Sequence, residues 1–558
     1  MKKINKHRYR ILLVAMPLLF LAIFYFYPLI KIFSLSLMPE GVWSPGKLHK
    51  LVSSTFYART LWFTFWQAAL STILTLTLAL PGAYVFARYR FFGKNLLQSF
   101  ATVPFVLPTV VVAAAFQALL GPNGLINIWL MQWFDLSYAP IHLNHTIWFI
   151  LLAHVFYNYT VVLRIVGGFW SRMECTLAEA AQVLGASPWQ TFYKITLPLL
   201  SPAIFAAALL VFIFCFSSFG VILILGGPRF ATIEVEIYRQ AVHLFNLPMA
   251  AALSIIQIIF TFALMGVYTA LQRKTAVNLT PASSARSQRK VASCRDRIIV
   301  GGNTALMIFL LGMPLLALIF RSFSTDNGLS LVFYRALFEN PTQSIFFVPP
   351  MQAVSYSVGF AGVTLVLAVL LGLPAASFLA APQKRLGALL DPIFMLPLST
   401  SAVTLGFGFI IALDRPPLNL RTSLMLVPLA HTLVAFPFVV RSILPALRSI
   451  PGSLREAATL LGASPLKVWQ AVDMPIVGRA LLVGAVFAFT VSLGEFGATA
   501  FVARPQTPTM PLAIYRFLGQ PGAMNYGQAM AMSSMLMMVT AVGFLLLEKV
   551  RIGGMGEF

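Results

Sequence analysis

EAAQVLGASPWQTFYKITLP, residues 179–198, recurs in the same chain as EAATLLGASPLKVWQAVDMP, residues 456–475. Glu179 pairs with Glu456, Gly185 with Gly462 and Pro198 with Pro475, each 277 residues apart. The register persists on both sides. Leu152-Ala153-His154 matches Leu429-Ala430-His431, Arg164 matches Arg441, Phe219-Gly220 matches Phe496-Gly497, and Ile237-Tyr238-Arg239 matches Ile514-Tyr515-Arg516. The chain is an internal duplication, and that organises everything else in it.

The blocks around the repeat are apolar. Of 558 residues, 59% are hydrophobic and only 10% charged. A chain of that composition cannot cover a water-facing surface, so its solvent is mostly lipid. The net charge of +23 does not indicate nucleic acid, because the bases sit in short loops between apolar spans rather than on one basic face. Cys175, Cys215 and Cys294 have no ligand spacing, so neither a disulfide framework nor a metal site is expected. The basic start KKINKHRYR precedes an apolar run too long for a signal peptide and without a small-residue cleavage site; it reads as an uncleaved first span.

A helix needs about 20 apolar residues to cross a bilayer. Twelve such spans are expected, at about 11–32, 59–87, 99–120, 144–170, 199–226, 249–271, 297–321, 352–380, 389–413, 421–447, 478–502 and 527–548. No alternating ten-residue pattern suggests a barrel, so the spans are helices. With the N-terminus in the cytoplasm, the inward segments hold 27 of the 39 lysines and arginines, which sets the orientation. Both termini and both Glu-Ala-Ala stretches then face the cytoplasm. The stretch 272–297, QRKTAVNLTPASSARSQRKVASCRDR, reads as a flexible basic linker. It separates a first repeat over 1–271 from a second over 298–558, parallel to it. Pro81 answers Pro374 at an offset of 293, so the first repeat carries extra residues, mostly in the external loop near 121–143. The fold class is an all-α integral membrane protein of about twelve transmembrane helices in two six-helix repeats.

Each quoted stretch is too polar to span. Glu, Ala, Gln and Leu favour helix, and Gly185 or Gly462 ends it. Ser187 and Ser464 can cap a second short helix with Pro188 and Pro465 at its first position. A cytoplasmic helix–turn–helix is expected twice, over about 176–198 and 453–475. The glutamates can accept from backbone amides or a partner's arginine.

The spacing Glu-Ala-Ala, Gly, then apolar-x-apolar-Pro resembles the motif of inner-membrane permease subunits in binding-protein-dependent ATP-binding-cassette importers. The resemblance implies a type I importer permease fold in a bacterial inner membrane. It implies two ATPase subunits on the cytoplasmic face, with ATP and magnesium bound there and no cofactor in this chain. It also implies an extracytoplasmic substrate-binding protein. Glu179, Ala180, Ala181, Gly185 and Pro198 would seat in one ATPase copy, and Glu456, Ala457, Ala458, Gly462 and Pro475 in the other. The copies differ. The first lacks the approach Ile450-Pro451-Gly452, and the second ends Val472-Asp473-Met474-Pro475 rather than Ile195-Thr196-Leu197-Pro198. The two sockets can therefore be unequal. The fused double unit is similar to thiamine and ferric-iron permeases. The 215–241 stretch is similar to the thiamine type, and 492–517 also to sulfate and molybdate permeases.

Polar groups within spans are costly in lipid and mark a cavity or a helix contact. Glu495, its counterpart Ser218, Ser217, Asn158 and Tyr159 are the candidates for a translocation path. The alternative for Glu495 is a local prop for a helix break at Gly494 and Gly497. His154 and His431 read as hydrogen-bonded packing residues, Arg164 and Arg441 as snorkelling ends, and the methionines of 530–538 as adaptable packing. There is no G-x-x-x-x-G-K-[ST] phosphate loop, no metal-ligand cluster and no nucleophile–base pair. The function expected is an importer permease rather than an enzyme. An ion-coupled secondary transporter is the competing class, but it leaves the paired cytoplasmic motif unexplained.

Overall fold

Lipid offers the backbone no hydrogen-bond partner, so each apolar block must close its own ladder as a helix. The computed structural model describes residues 14–38, 53–173, 176–275, 288–325, 327–339, 348–381, 384–414 and 418–552, with isolated positions 46, 51 and 416. Both termini, on which the expected orientation depends, lie outside the described residues.

The first repeat runs α1 (Val14–Leu37), α2 (Thr55–Arg88), β1 (Tyr89–Arg90), α3 (Lys94–Val106), α4 (Thr109–Leu120), α5 (Leu125–Phe134), α6 (Ile147–Arg172), α7 (Thr176–Val183), α8 (Pro188–Thr191), α9 (Leu197–Phe216), α10 (Gly220–Leu225), α11 (Ile233–Tyr238) and α12 (Leu247–Thr275). After β2 (Arg289–Lys290) the second runs α13 (Cys294–Phe323), β3 (Ser324–Thr325), β4 (Gly328–Leu329), α14 (Val332–Arg335), α15 (Met351–Ala380), α16 (Lys384–Met395), α17 (Ala402–Leu413), α18 (Leu426–Ser449), α19 (Gly452–Leu460), α20 (Pro465–Val468), α21 (Met474–Gly494), α22 (Thr499–Val502), α23 (Met510–Leu518) and α24 (Ala523–Ile552). Among the described residues, eleven helices are long and apolar enough to cross a membrane. A twelfth exists if the bent pair 389–399 and 402–413 counts as one span.

Three helices form the centre of each repeat: α2, α6 and α9 in the first, α15, α18 and α21 in the second. Association within lipid relies on close packing and satisfied polar groups rather than hydrophobicity. The buried face of α2 shows how. Thr60, Thr64, Thr72 and Thr75 are buried, and each hydroxyl donates to the carbonyl four residues earlier, at 2.7–3.2 Å. A hydroxyl satisfied within its own helix can be buried without cost to the neighbour. The leading helices cross over: α1 packs on α12 of its own repeat and α17 of the other, while α13 packs on α24 and on α4 of the first. The two repeats are thus interlocked.

Four expected spans are shorter than the apolar run that suggested them. The run 99–120 breaks at Leu107-Pro108, where Leu107 is extended because a residue before proline avoids the helical region. The run 389–413 bends by 93° at extended Thr400, and Ser401 caps the helix that follows. The runs 199–226 and 478–502 stop at Phe216 and Gly494. Apolar composition reports burial or lipid, not helical continuity. Part of the inserted stretch near 121–143 belongs to a span: with α5 (Leu125–Phe134) after α4, Thr109–Phe134 is one of the eleven candidate spans and takes the place of the expected 99–120.

The basic linker is narrower than its composition implied. Residues 276–287 lie outside the described set, but β2 pairs in parallel with β1. The Tyr89 hydroxyl donates to Asp296 at 2.9 Å, and Arg289 lies over the Tyr89 ring at 4.5 Å. Ser293 and Asp296 form a reciprocal capping box that starts α13. Such a box satisfies two otherwise orphaned amides, and it overrides the polar composition there.

Candidate functional site

The quoted stretches fold as two copies of one hairpin. In the first, Gly185 takes φ +89°, and its amide and that of Ala186 return to Gln182 and Ala181, both at 3.0 Å. In the second, Gly462 takes φ +82°, with Gly462 to Thr459 and Ala463 to Ala458 at 3.0 Å. This is the glycine-terminated Schellman closure. Nothing lies within 4 Å of a Cβ built on either glycine, so the left-handed backbone, not crowding, requires glycine. Ser187 accepts from the Gln190 amide at 3.3 Å, and Gln190 accepts in return from the Ser187 amide. Ser464 accepts from the Lys467 amide at 3.4 Å. A five-residue π-helical turn then joins each hairpin to its long helix, Phe192–Thr196 into α9 and Trp469–Asp473 into α21.

Glu179, Ala180, Gly185 and Pro198 are exposed and Ala181 is half-buried. Glu456, Ala457, Gly462 and Pro475 repeat that exposure, as does half-buried Ala458. The tips are apolar: Leu184 is 88% exposed beside Val183, and Leu461 is 89% exposed beside Leu460. They lie outside the candidate spans that follow them, which begin at Pro188 and Pro465. Exposed apolar side chains clustered twice at equivalent positions are the kind of surface that protein or membrane contacts use.

At the far ends of α9 and α21 the helix breaks converge. Gly220 lies against Thr109 and Phe496, so a Cβ there would sit 2.3 Å from the Thr109 hydroxyl oxygen. Gly494 of the second repeat meets Pro108 of the first, and Gly497 meets Ala402. The breaks after α3, α9, α16 and α21 therefore share one junction. At its centre Phe219 and Phe496 stack, centroids 5.5 Å apart and planes at 26°. They are counterparts in the 277-residue repeat, so their mutual contact puts the pseudo-two-fold axis between them. Sequence comparison matched these residues but assigned them no role; their signal was identity across the repeat next to a glycine.

A histidine braces each break. His154 links Ser71 and Ser218, both at 2.9 Å. His431 links Ser492 at 2.7 Å and Thr499 at 2.8 Å. Glu495 is buried, with its carboxylate 3.3 Å from His431. It accepts from the amides of Ala498 and Thr499 at 2.8 and 2.9 Å and from the Thr499 hydroxyl at 2.6 Å, and so caps α22. The other path candidates make local contacts. Ser217 donates to Ile213 O at 2.7 Å. Asn158 donates to His154 O and to the Cys215 sulfur. Tyr159 packs its hydroxyl end against Gly82 of α2. Ser217, Ser218 and Glu495 lie in the breaks themselves, while Asn158 and Tyr159 lie within α6. Among the described residues, no group of three or more His, Cys, Asp or Glu could hold a metal ion.

The sequence is similar to known transport components. A family model described as binding-protein-dependent transport system inner membrane component matches residues 79–277, which contain the first hairpin. Over those residues the chain is similar to that family. The permease is also similar to the thiamine transport system permease protein ThiP of Salmonella typhimurium, 26% identical over 518 residues, 92% of this chain and 91% of that one. It is similar to ThiP of Escherichia coli, 26% identical over 462 residues, covering 82% and 83%. It is also 25% identical over 483 residues to a probable ABC transporter permease protein, y4fN, of Sinorhizobium fredii, covering 83% of each. These matches span both repeats, so the permease is of the fused, double-unit type.

Proposed function

We propose that this permease is the transmembrane path of an ATP-driven importer for thiamine. Its two hairpins seat in two separate ATPase subunits on the cytoplasmic side, which bind ATP and magnesium. An extracytoplasmic binding protein delivers the solute at the opposite face. The observation that carries the reading is the pair of matching hairpins, each with exposed apolar tips and a glutamate on its first helix. Burying one Val or Leu gains about 1.5–3 kcal/mol, so two such tips offer enough apolar surface to hold a partner. The thiamine assignment is supported by the relatives named for thiamine transport along both repeats.

The hairpins join α9 and α21 through one π turn each, and the far ends of those helices form the Phe219–Phe496 junction. Drawing the hairpins together on ATP binding tilts both helices and separates the junction, which converts an inward-open path to an outward-open one. His154 and His431 keep the broken ends rigid, so the motion is transmitted as a unit.

The test is ATP hydrolysis by the permease, its ATPase and its binding protein in lipid vesicles. Thiamine is expected to stimulate hydrolysis. Stimulation by ferric iron, molybdate or sulfate instead would keep the importer and replace the solute. Failure of the ATPase to bind at all would return the ion-coupled transporter to first place.

A further inference from the structure

The stack on the axis is the middle of a longer aromatic set. Tyr238 meets Phe219 nearly edge-on, centroids 5.5 Å apart and planes at 65°. Tyr515 meets Phe496 in a similar way, at 5.4 Å and 58°. Tyr238 and Tyr515 are themselves counterparts at 277 residues. Each repeat therefore supplies one stacked and one edge-on ring, and the four enclose the axis. Around them the copies have diverged: Ser217 and Ser218 stand opposite Gly494 and Glu495. An apolar plug needs only volume, which leucine or isoleucine supplies, yet both copies keep the same two rings. Two ionisable side chains lie near the set. Glu234 lies one helical turn before Tyr238 on α11, receiving a hydrogen bond from Gln257 at 3.1 Å. Arg516 lies close enough to Tyr238 to act on it electrostatically.

We propose that these four rings form a transient site for a planar heteroaromatic ring, which slides between Phe219 and Phe496 as the repeats part. In the present closed arrangement the two rings are in contact. Sandwiching a third ring requires about two van der Waals spacings, ~7–8 Å, so the site opens only with the junction. The flanking tyrosines then face the edge of the bound ring, an arrangement aromatic groups favour. This rests on the thiamine reading above, since thiamine carries two such rings.

The experiment separates a π-face site from a plain seal. The complete complex with Phe219→Leu and Phe496→Leu is placed in vesicles, and thiamine taken up per ATP hydrolysed is measured beside efflux of preloaded thiamine. Leucine keeps the apolar bulk and removes the ring. The expected result is about a ten-fold lower uptake per ATP, unchanged efflux, and recovery in the Phe219→Tyr, Phe496→Tyr pair. Each single leucine variant is expected to lose part of that, which keeps the test alive should the double variant fail to assemble. Uptake equal to the parent, or a loss explained entirely by raised efflux, would overturn the site and leave a seal. A parent complex that moves no thiamine would instead overturn the substrate reading, and the site with it.

Discussion

The two hairpins share a backbone and differ in side chains. Both have a left-handed glycine, a serine cap, a first-position proline and a π turn. The first presents Trp189, 70% exposed, stacked on Tyr193 at 5.6 Å. At the equivalent positions the second has Leu466 and Gln470. The second is pinned instead: Arg455 donates to Asp473 at 2.7 Å, tying α19 to the π turn. Ala178 and Thr196 stand at those positions in the first copy, so no such pair can form there. The lesson is that duplication preserves what the backbone needs and releases what only the partner reads. One hairpin carries an aromatic anchor of the kind that dominates interfaces; the other is stiffened from within.

The largest effect is expected from charging the tips. Val183→Asp with Leu184→Asp, and separately Leu460→Asp with Leu461→Asp, should each abolish ATP-driven transport while the protein stays in the membrane. Co-purification of the ATPase reads the difference: loss should be greater from the first hairpin, which then lacks its apolar tip beside the aromatic pair. Full retention with normal transport in both variants would end the docking reading. Replacing Glu179 and Glu456 together by Gln should likewise stop transport with insertion intact, chiefly through lost docking.

Next come the braces. His431→Ala leaves Ser492 and Thr499 without a ring partner and removes a group facing the buried Glu495 carboxylate, a loss of about 3 kcal/mol or more. His154→Ala strands only two serine hydroxyls and should cost about 1–3 kcal/mol. Thermal unfolding in detergent orders them, and an equal loss would mean Glu495 gains nothing from His431. Smaller again, Ser187→Ala should cost about 1 kcal/mol of local helix stability, slightly more than Ser464→Ala, because only Ser187 has its amide bonded back by the residue it caps. Amide exchange over each hairpin would resolve this. The smallest effect is Arg455→Ala. A half-exposed ion pair contributes about 1 kcal/mol or less, so the second hairpin should exchange faster while the first is unchanged.

Much of this was written locally. Helix–turn–helix geometry at 179–198 follows from Gly185, Ser187 and Pro188, whose preferences act over a few residues, and its copy followed by the same rules. The breaks within the apolar runs were harder. Pro108 is a visible signal, and so are Pro397 and Ser399-Thr400-Ser401 at the bend in 389–413, but a hydropathy count runs straight through both. The reach of the linker was overstated because a capping box of two residues outweighs a polar stretch.

By itself the sequence determined the duplication, the number of lipid-embedded blocks within one, and the paired polar hairpins, since all three depend on composition or on short-range backbone preference. Only the tertiary structure decided that Phe219 touches Phe496, that four helix breaks meet there, and that Glu495 is held by His431 and the start of α22. Those contacts join residues up to hundreds of positions apart. No local periodicity encodes them, because they are set by how the two repeats pack around their common axis.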